Sequence, residues 1–181
     1  MAGVSEAASE ELSNWRPLDS SASEFTSAAR WAFAHILSSQ WPRNGLAEQR
    51  MRGLTLIKPV QETRLPMAFV LLQEGSSSPA AVIGGAVLRD LRTYVSAREF
   101  ARLQACERAC LALSVVVEQN WQGLGHGRAV VSHLEASARE RGCTIMYLFS
   151  DNTVEFWSKM GYTLLPGEPS RNGKPWMRKQ L

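Results

Sequence analysis

Apolar and polar positions change rhythm several times along this chain, and each change marks an element. Ser21 with Glu24 three residues later forms a capping box. The apolar set that follows (Phe25, Ala28, Ala29, Ala32, Phe33, Ile36 and Leu37) recurs at helical spacing. That helix is expected to end near Ser39, because Trp41 precedes Pro42 and is pushed toward extended backbone. Ahead of it, residues 12–18 read as a short strand; after it, Asn44 caps a second short helix closed by Gly53. Two apolar runs, residues 67–73 and 81–88, flank a turn-rich stretch and predict a hairpin. Ser96 and Glu99 form a second capping box, followed by Phe100, Leu103 and Cys106 at helical spacing. An inserted helix is predicted there, with Cys106 packing on its apolar side. Residues 111–117 are a β-branched run without polar alternation, which reads as a strand buried on both faces. Residues 125–141 predict a helix with Val130, Val131, Leu134 and Ala138 on one face and Gly142 as its stop. A strand over 144–149, a helix over 152–160 closed by Gly161, and a hairpin of 162–165 with 175–179 complete the series.

That order of strands and helices implies an α/β chain, a mixed sheet with helices on both faces. Residues 1–11 are Ser/Ala/Glu-rich and aperiodic, so a disordered acidic tail is expected, with residues 12–181 forming one domain. With 45% apolar and 20% charged residues the chain buries a proper core. The longest uncharged stretches, 31–42 and 109–117, fall short of the roughly 18 apolar residues of a membrane span. No basic region followed by an apolar stretch opens the sequence, so no membrane partner and a cytoplasmic location are expected. Cys106, Cys110 and Cys143 make an odd count without metal-ligand spacing, so neither a disulfide framework nor a bound metal is expected.

Charge adds to this picture. The net charge is +3, but Glu6, Glu10 and Glu11 sit in the tail, leaving 20 basic against 14 acidic residues, or +6, in the rest. Sixteen of those basic residues are arginine, the side chain suited to forked recognition of phosphate or carboxylate. No basic run interleaved with aromatics appears, so nucleic acid is not an expected partner.

The stretch that carries chemistry runs Val115-Val-Val-Glu-Gln-Asn-Trp-Gln-Gly-Leu-Gly-His-Gly-Arg128. A buried strand leads into a glycine-spaced loop that opens a helix, an anion cradle suited to a pyrophosphate. A dinucleotide-binding fingerprint fits worse, because Arg128 stands where its last glycine belongs and residues 118–122 separate strand from loop.

At these residues the chain resembles the GCN5-related N-acetyltransferases. Their signature is Gln or Arg, then Gly-x-Gly-x-Gly/Ala, five residues past a strand-ending valine; here it is Gln122-Gly-Leu-Gly-His-Gly127 after Val117. Glu155-Phe-Trp-Ser-Lys-Met-Gly-Tyr162 is similar to the family's Phe-Tyr helix ending in Gly-Tyr or Gly-Phe. The resemblance implies the GNAT fold, a mostly antiparallel twisted sheet of about seven strands whose fourth strand splays from the fifth, with helices on both faces. It also implies acetyl-CoA as co-substrate and no metal. Amides of Val115, Val116 and Val117 would then pair with the pantetheine, and Gln122, Gly123, Leu124, Gly125, His126, Gly127 and Arg128 would hold the pyrophosphate. Asn152 joins this cofactor set.

Gln40-Trp-Pro-Arg43, Val115–Val117, Tyr162 and Pro175-Trp-Met-x-Lys179 resemble more narrowly the actin N-terminal acetyltransferases of the NatH type, over roughly residues 12–181. That likeness implies a protein N-terminus as acceptor, an acidic one such as processed actin, with Trp41, Arg43, Asn44 and Leu46 binding it. Two departures bear on the acceptor. Residues 91–108 are longer than in the animal enzymes, and 166–173 lack their proline-rich insertion.

Where many relatives carry a tyrosine that protonates the departing thiolate, this chain has Trp157, and an indole N–H gives up no proton. Ser114, Tyr147 and Tyr162 are the catalytic candidates, and no general base stands out. His126 reads as a phosphate-loop contact, His35 and His133 as ordinary helix residues. Direct transfer is the expected reaction. Cys143 as an acyl-carrying nucleophile is the rival route, yet it follows Gly142 at a helix end, where nothing in the sequence lowers its pKa. Two other functions stay open: acetylation of a small-molecule amine, and a noncatalytic acetyl-CoA-binding module.

Overall fold

The computed structural model describes residues 14–18, 24–40, 64–150, 152–167, 169–170 and 173–181. In chain order these form β1 (Trp15–Pro17), α1 (Glu24–Gln40), β2 (Met67–Leu72), β3 (Val82–Asp90), α2 (Ala97–Arg102), β4 (Ala109–Val117), α3 (His126–Glu140), β5 (Ile145–Phe149), α4 (Val154–Lys159), β6 (Thr163–Leu164) and β7 (Trp176–Gln180). The strands make one sheet in the order β1-β2-β3-β4-β5-β7-β6. It is mixed: β1 with β2, β5 with β7 and β6 with β7 are antiparallel, and β4 with β5 is parallel. The β4–β5 register holds only Ala109↔Ile145, Cys110↔Met146 and Leu111↔Tyr147. β4 then runs on to Val117 without a β5 partner in that register, which is the divergence expected between the fourth and fifth strands. The second short helix expected after Asn44, the first capping box at Ser21 and the tail 1–11 lie outside the described residues. Among the described residues no helix is long and apolar enough to cross a membrane.

The chain clusters into two compact units, one of residues 1–58, 67–87 and 114–130, the other of 59–66, 88–113 and 131–181. In the first, α1 buries Ala29, Phe33, Ile36 and Leu37, as their spacing predicts, whereas Ala28 of the same expected set is exposed. Trp15 packs edge-on against Phe69 with ring centroids 5.3 Å apart. Backbone approaches are close: a Cβ at Gly84 would stand 2.7 Å from the carbonyl oxygen of Val116. Gly84→Ala is therefore expected to lower stability by about 1–3 kcal/mol, since a strand backbone cannot yield as a side-chain tip can. Urea unfolding reads this, and an unmoved midpoint would contradict so tight a β3–β4 contact.

In the second unit, α3 turns Leu134 and Ala138 inward, fully buried. The other face of β5 is covered by the inserted segment. Leu91, Leu103, Ala109, Leu111, Tyr147 and Trp176 form one buried cluster there, with Tyr94, Phe100 and Phe149 packed against it. The predicted cap is present, with Ser96 accepting a hydrogen bond from the Glu99 amide at 3.2 Å. The helix is shorter than predicted. Gln104 adopts φ +51, its N–H reaches the Ala101 carbonyl, and the Ala105 N–H reaches that of Phe100. This is a Schellman closure one turn early. Cys106 consequently stands exposed in the following loop, 3.5 Å from the Thr144 hydroxyl, and not packed on a helix.

Candidate functional site

The site grows from the end of β4, in the first unit. Leu113, Ser114 and Val115 are half-buried, so the run expected to be buried on both faces opens at its middle. Ser114 there has φ +52. A left-handed serine within a strand costs roughly 1–2 kcal/mol, and such a kink turns the next backbone groups off the flat ladder. Val116 and Val117 beyond it are buried again.

After Val117 a 3-10 turn, Gln119–Trp121, leads into the glycine loop. The Gln122 side chain closes this loop by donating from Nε2 to the Val117 carbonyl at 2.9 Å. Gly123 and Gly125 take φ +79 and +91, and nothing lies within 4 Å of where their Cβ atoms would stand. The helical hydrogen bonds begin only at Arg128 and Ala129, both donating to the Gly125 carbonyl. Among the described residues, the N–H groups of Gly123, Leu124, Gly125, His126 and Gly127 have no protein acceptor. Five consecutive donors, open space and the positive end of α3 suit a pyrophosphate. His126 is half-buried with its ring edge-on to Trp121, 5.5 Å between centroids, and Arg128 is exposed. The predicted cofactor residues of this loop and of β4 thus stand on one continuous stretch. Asn152 belongs to the second unit, exposed in the turn before α4.

The aromatic catalytic candidates also lie in the second unit. Tyr147 is fully buried and donates its hydroxyl to the Leu103 carbonyl at 3.2 Å; burial raises its pKa. Tyr162 donates to the Met146 sulfur at 2.9 Å. Burial, and then the Glu135 carboxylate, push its phenol far above the usual value. Trp157 packs edge-on against Tyr162, centroids 5.2 Å apart, and is itself buried. Cys110 and Cys143 are buried beside one another. The Cys143 thiol beside it, and then burial, raise Cys110 well above its ordinary value, while the Cys110 thiol lowers Cys143; Cys110 Sγ itself donates to the Ile145 carbonyl at 3.5 Å. The thiol beside Cys143 comes from β4, distant in sequence. At 4% exposure Cys143 remains closed to a thioester.

Trp41, Arg43, Asn44 and Leu46 lie outside the described residues. Sequence reasoning missed the left-handed Ser114, because serine carries no signal for that conformation inside a β-branched run. It also missed how Gln122 ties the loop to the strand end.

A family model described as the acetyltransferase (GNAT) family matches residues 28–162. The chain belongs to that family, whose members move an acetyl group onto an amine. Among individual proteins it is similar to N-alpha-acetyltransferase 80 of Mus musculus, 28% identical over 138 residues, covering 76% of this chain and 38% of that protein. The chain thus spans well under half the length of this curated relative. Its fold is that of Tetrahymena GCN5, with TM-score 0.66, 15% identity and coverage of 92% and 94% of the two chains. An aminoglycoside 6'-N-acetyltransferase complexed with coenzyme A is similar too, with TM-score 0.61, 16% identity and coverage of 83% and 89%.

Proposed function

We propose that this protein transfers acetyl from acetyl-CoA directly to the α-amine of a protein N-terminus, an acidic one such as processed actin. The observation that carries acetyl-CoA binding is the row of unpaired amides from Gly123 to Gly127 at the start of α3. Acetyl-CoA supplies an activated acetyl thioester. The kinked end of β4 offers backbone amides near Val117 to the carbonyl oxygen as it gains charge. The neutral amine attacks the carbonyl carbon, so that C–N forms as C–S breaks. Sulfur leaves as thiolate, and the amine proton passes to water. With Trp157 at the usual acid's position, departure relies on the acidity of the thiol itself, whose pKa is about 8.5.

The α-amine is supported by the absence of an evident base. Lysine is about 3.5 kcal/mol harder to deprotonate at a fixed pH than an N-terminus. The similarity to an N-alpha-acetyltransferase points the same way. An acidic acceptor is supported by the +6 charge outside the tail and by Arg43, which follows Trp41 and Pro42 in the sequence and whose guanidinium can fork onto a carboxylate.

An acetylation assay over a peptide library tests this. Peptides beginning Asp-Asp or Glu-Glu are expected to react far faster than those beginning Ser or Met-Leu, with the advantage shrinking as salt is added. Arg43→Ala should cost about 1.5–3 kcal/mol on the acidic peptides only. Equal rates at low salt would remove the acidic acceptor. Turnover confined to a polyamine or an aminoglycoside would favour a small-molecule enzyme, and binding without any release of free thiol a noncatalytic module. Direct transfer further predicts that a Cys106/Cys110/Cys143→Ala triple variant, checked for folding, keeps turnover within a few-fold. An acetylated cysteine trapped by mass spectrometry would refute it.

A further inference from the structure

The first unit carries a groove with a volume of about 690 Å³, and none of its described lining residues belongs to the phosphate cradle Gly123–Arg128. One wall is a single face of α1, positions 28, 31, 32, 35 and 36. The other is the β2–β3 turn over residues 79–83, and Glu118 and Trp121 close one end. Ala28, expected in the core, is exposed because it forms part of this wall. Trp31 is 66% exposed and lies flat on His35, ring centroids 5.8 Å apart and planes 4° from parallel. Glu118 is half-buried. Its carboxylate accepts from Asn120 Nδ2 at 3.0 Å, and among the described residues no cation faces it.

We propose that this groove docks an apolar segment of another polypeptide that carries one arginine or lysine, with Trp31 as its aromatic shelf and Glu118 as its counter-charge. The apolar walls favour an apolar ligand, and a large tryptophan left open gains most from being covered. A guanidinium stacks on an indole face while its methylene stem lies along alanine-sized side chains. Glu118 is the one formally charged side chain among the described lining residues, so an acidic segment is repelled. The preferred charge is opposite to that of the proposed acceptor, and this inference stands whether or not that proposal does.

The test uses the full chain and labelled twelve-residue peptides, N-terminally acetylated so that they cannot act as acceptors, read by fluorescence anisotropy without acetyl-CoA. A Leu/Ala-rich peptide with a central arginine is expected to bind saturably. The same peptide with glutamine should bind about five- to ten-fold more weakly, and with glutamate not measurably. Trp31→Ala should weaken the arginine peptide at least about five-fold with an unchanged thermal midpoint, since the indole is already exposed. Glu118→Gln should abolish the preference for arginine over glutamine. The proposal falls if the arginine peptide shows no saturable binding, if the glutamate peptide binds equally, or if Trp31→Ala changes nothing. It falls also if sedimentation finds a dimer that Trp31→Ala dissolves, because a second copy would then be the occupant.

Discussion

Gly125→Asp is expected to eliminate the heat of acetyl-CoA binding in a calorimetric titration while the protein stays folded. Two effects add. Backbone at φ +91 is costly for any residue with a Cβ, by about 1–2 kcal/mol. A carboxylate placed among the donors proposed to hold phosphate adds like-charge repulsion of about 1–4 kcal/mol near a protein surface. Together they amount to about 2–6 kcal/mol, a loss of affinity of about thirty-fold or more. Gly125→Ala separates the two. Nothing lies within 4 Å of its Cβ, so alanine brings backbone strain alone and should weaken binding only several-fold. Equal affinity in the aspartate variant would remove the cradle assignment; equal losses in both variants would remove its electrostatic basis.

The second large effect concerns a buried charge. Glu135 on α3 is 5% exposed, and each of its carboxylate oxygens accepts a hydrogen bond from Lys179 of β7, at 2.8 and 2.7 Å. Arg139 stands 3.5 Å from the same carboxylate, and the Lys179 ammonium lies 5.6 Å from the centre of the Tyr162 ring. Glu135→Ala leaves that ammonium, only about one-fifth exposed, without its anion. A stability loss of about 3–5 kcal/mol is expected in urea unfolding. A Glu135→Leu/Lys179→Met double variant should recover most of it, because two apolar side chains incur no desolvation of charge. A double variant as unstable as the single one would mean that the lost stability comes from packing and not from the orphaned charge.

Much of this molecule was legible along the chain because local chemistry dictates it. The alternating glycines 123, 125 and 127 marked an open loop at the head of a helix, and Gly123 and Gly125 take left-handed backbone there. Ser96 with Glu99 marked a helix start, and Val130, Val131, Leu134 and Ala138 named the buried stripe of α3, all of them fully buried. Features set by the meeting of distant segments were not legible. Gln104 looks like any helical glutamine, and only the closure onto Phe100 and Ala101 shows that the helix stops before Cys106. The Cys110–Cys143 contact depends on strand order, and the groove beside Trp31 on three separated stretches. Spacing rules describe one element at a time, so neither could be read from them.

On the sequence likeness to the animal enzymes, residues 91–108 are expected to be extra length, and extra length is where a protein engineer usually trims first. Trimming here would be a mistake. The Tyr147 hydroxyl is held by Leu103, the Trp176 indole donates to Glu99 at 3.2 Å, and Tyr94 stacks on Phe149 with centroids 5.9 Å apart. Cutting the chain back to the shorter pattern would strip the cover from Leu111, Tyr147 and Trp176 and leave a wet aromatic sheet face, ready to adhere to the next molecule. What reads in the sequence as a difference in length is, in the folded second unit, the cover of an aromatic core.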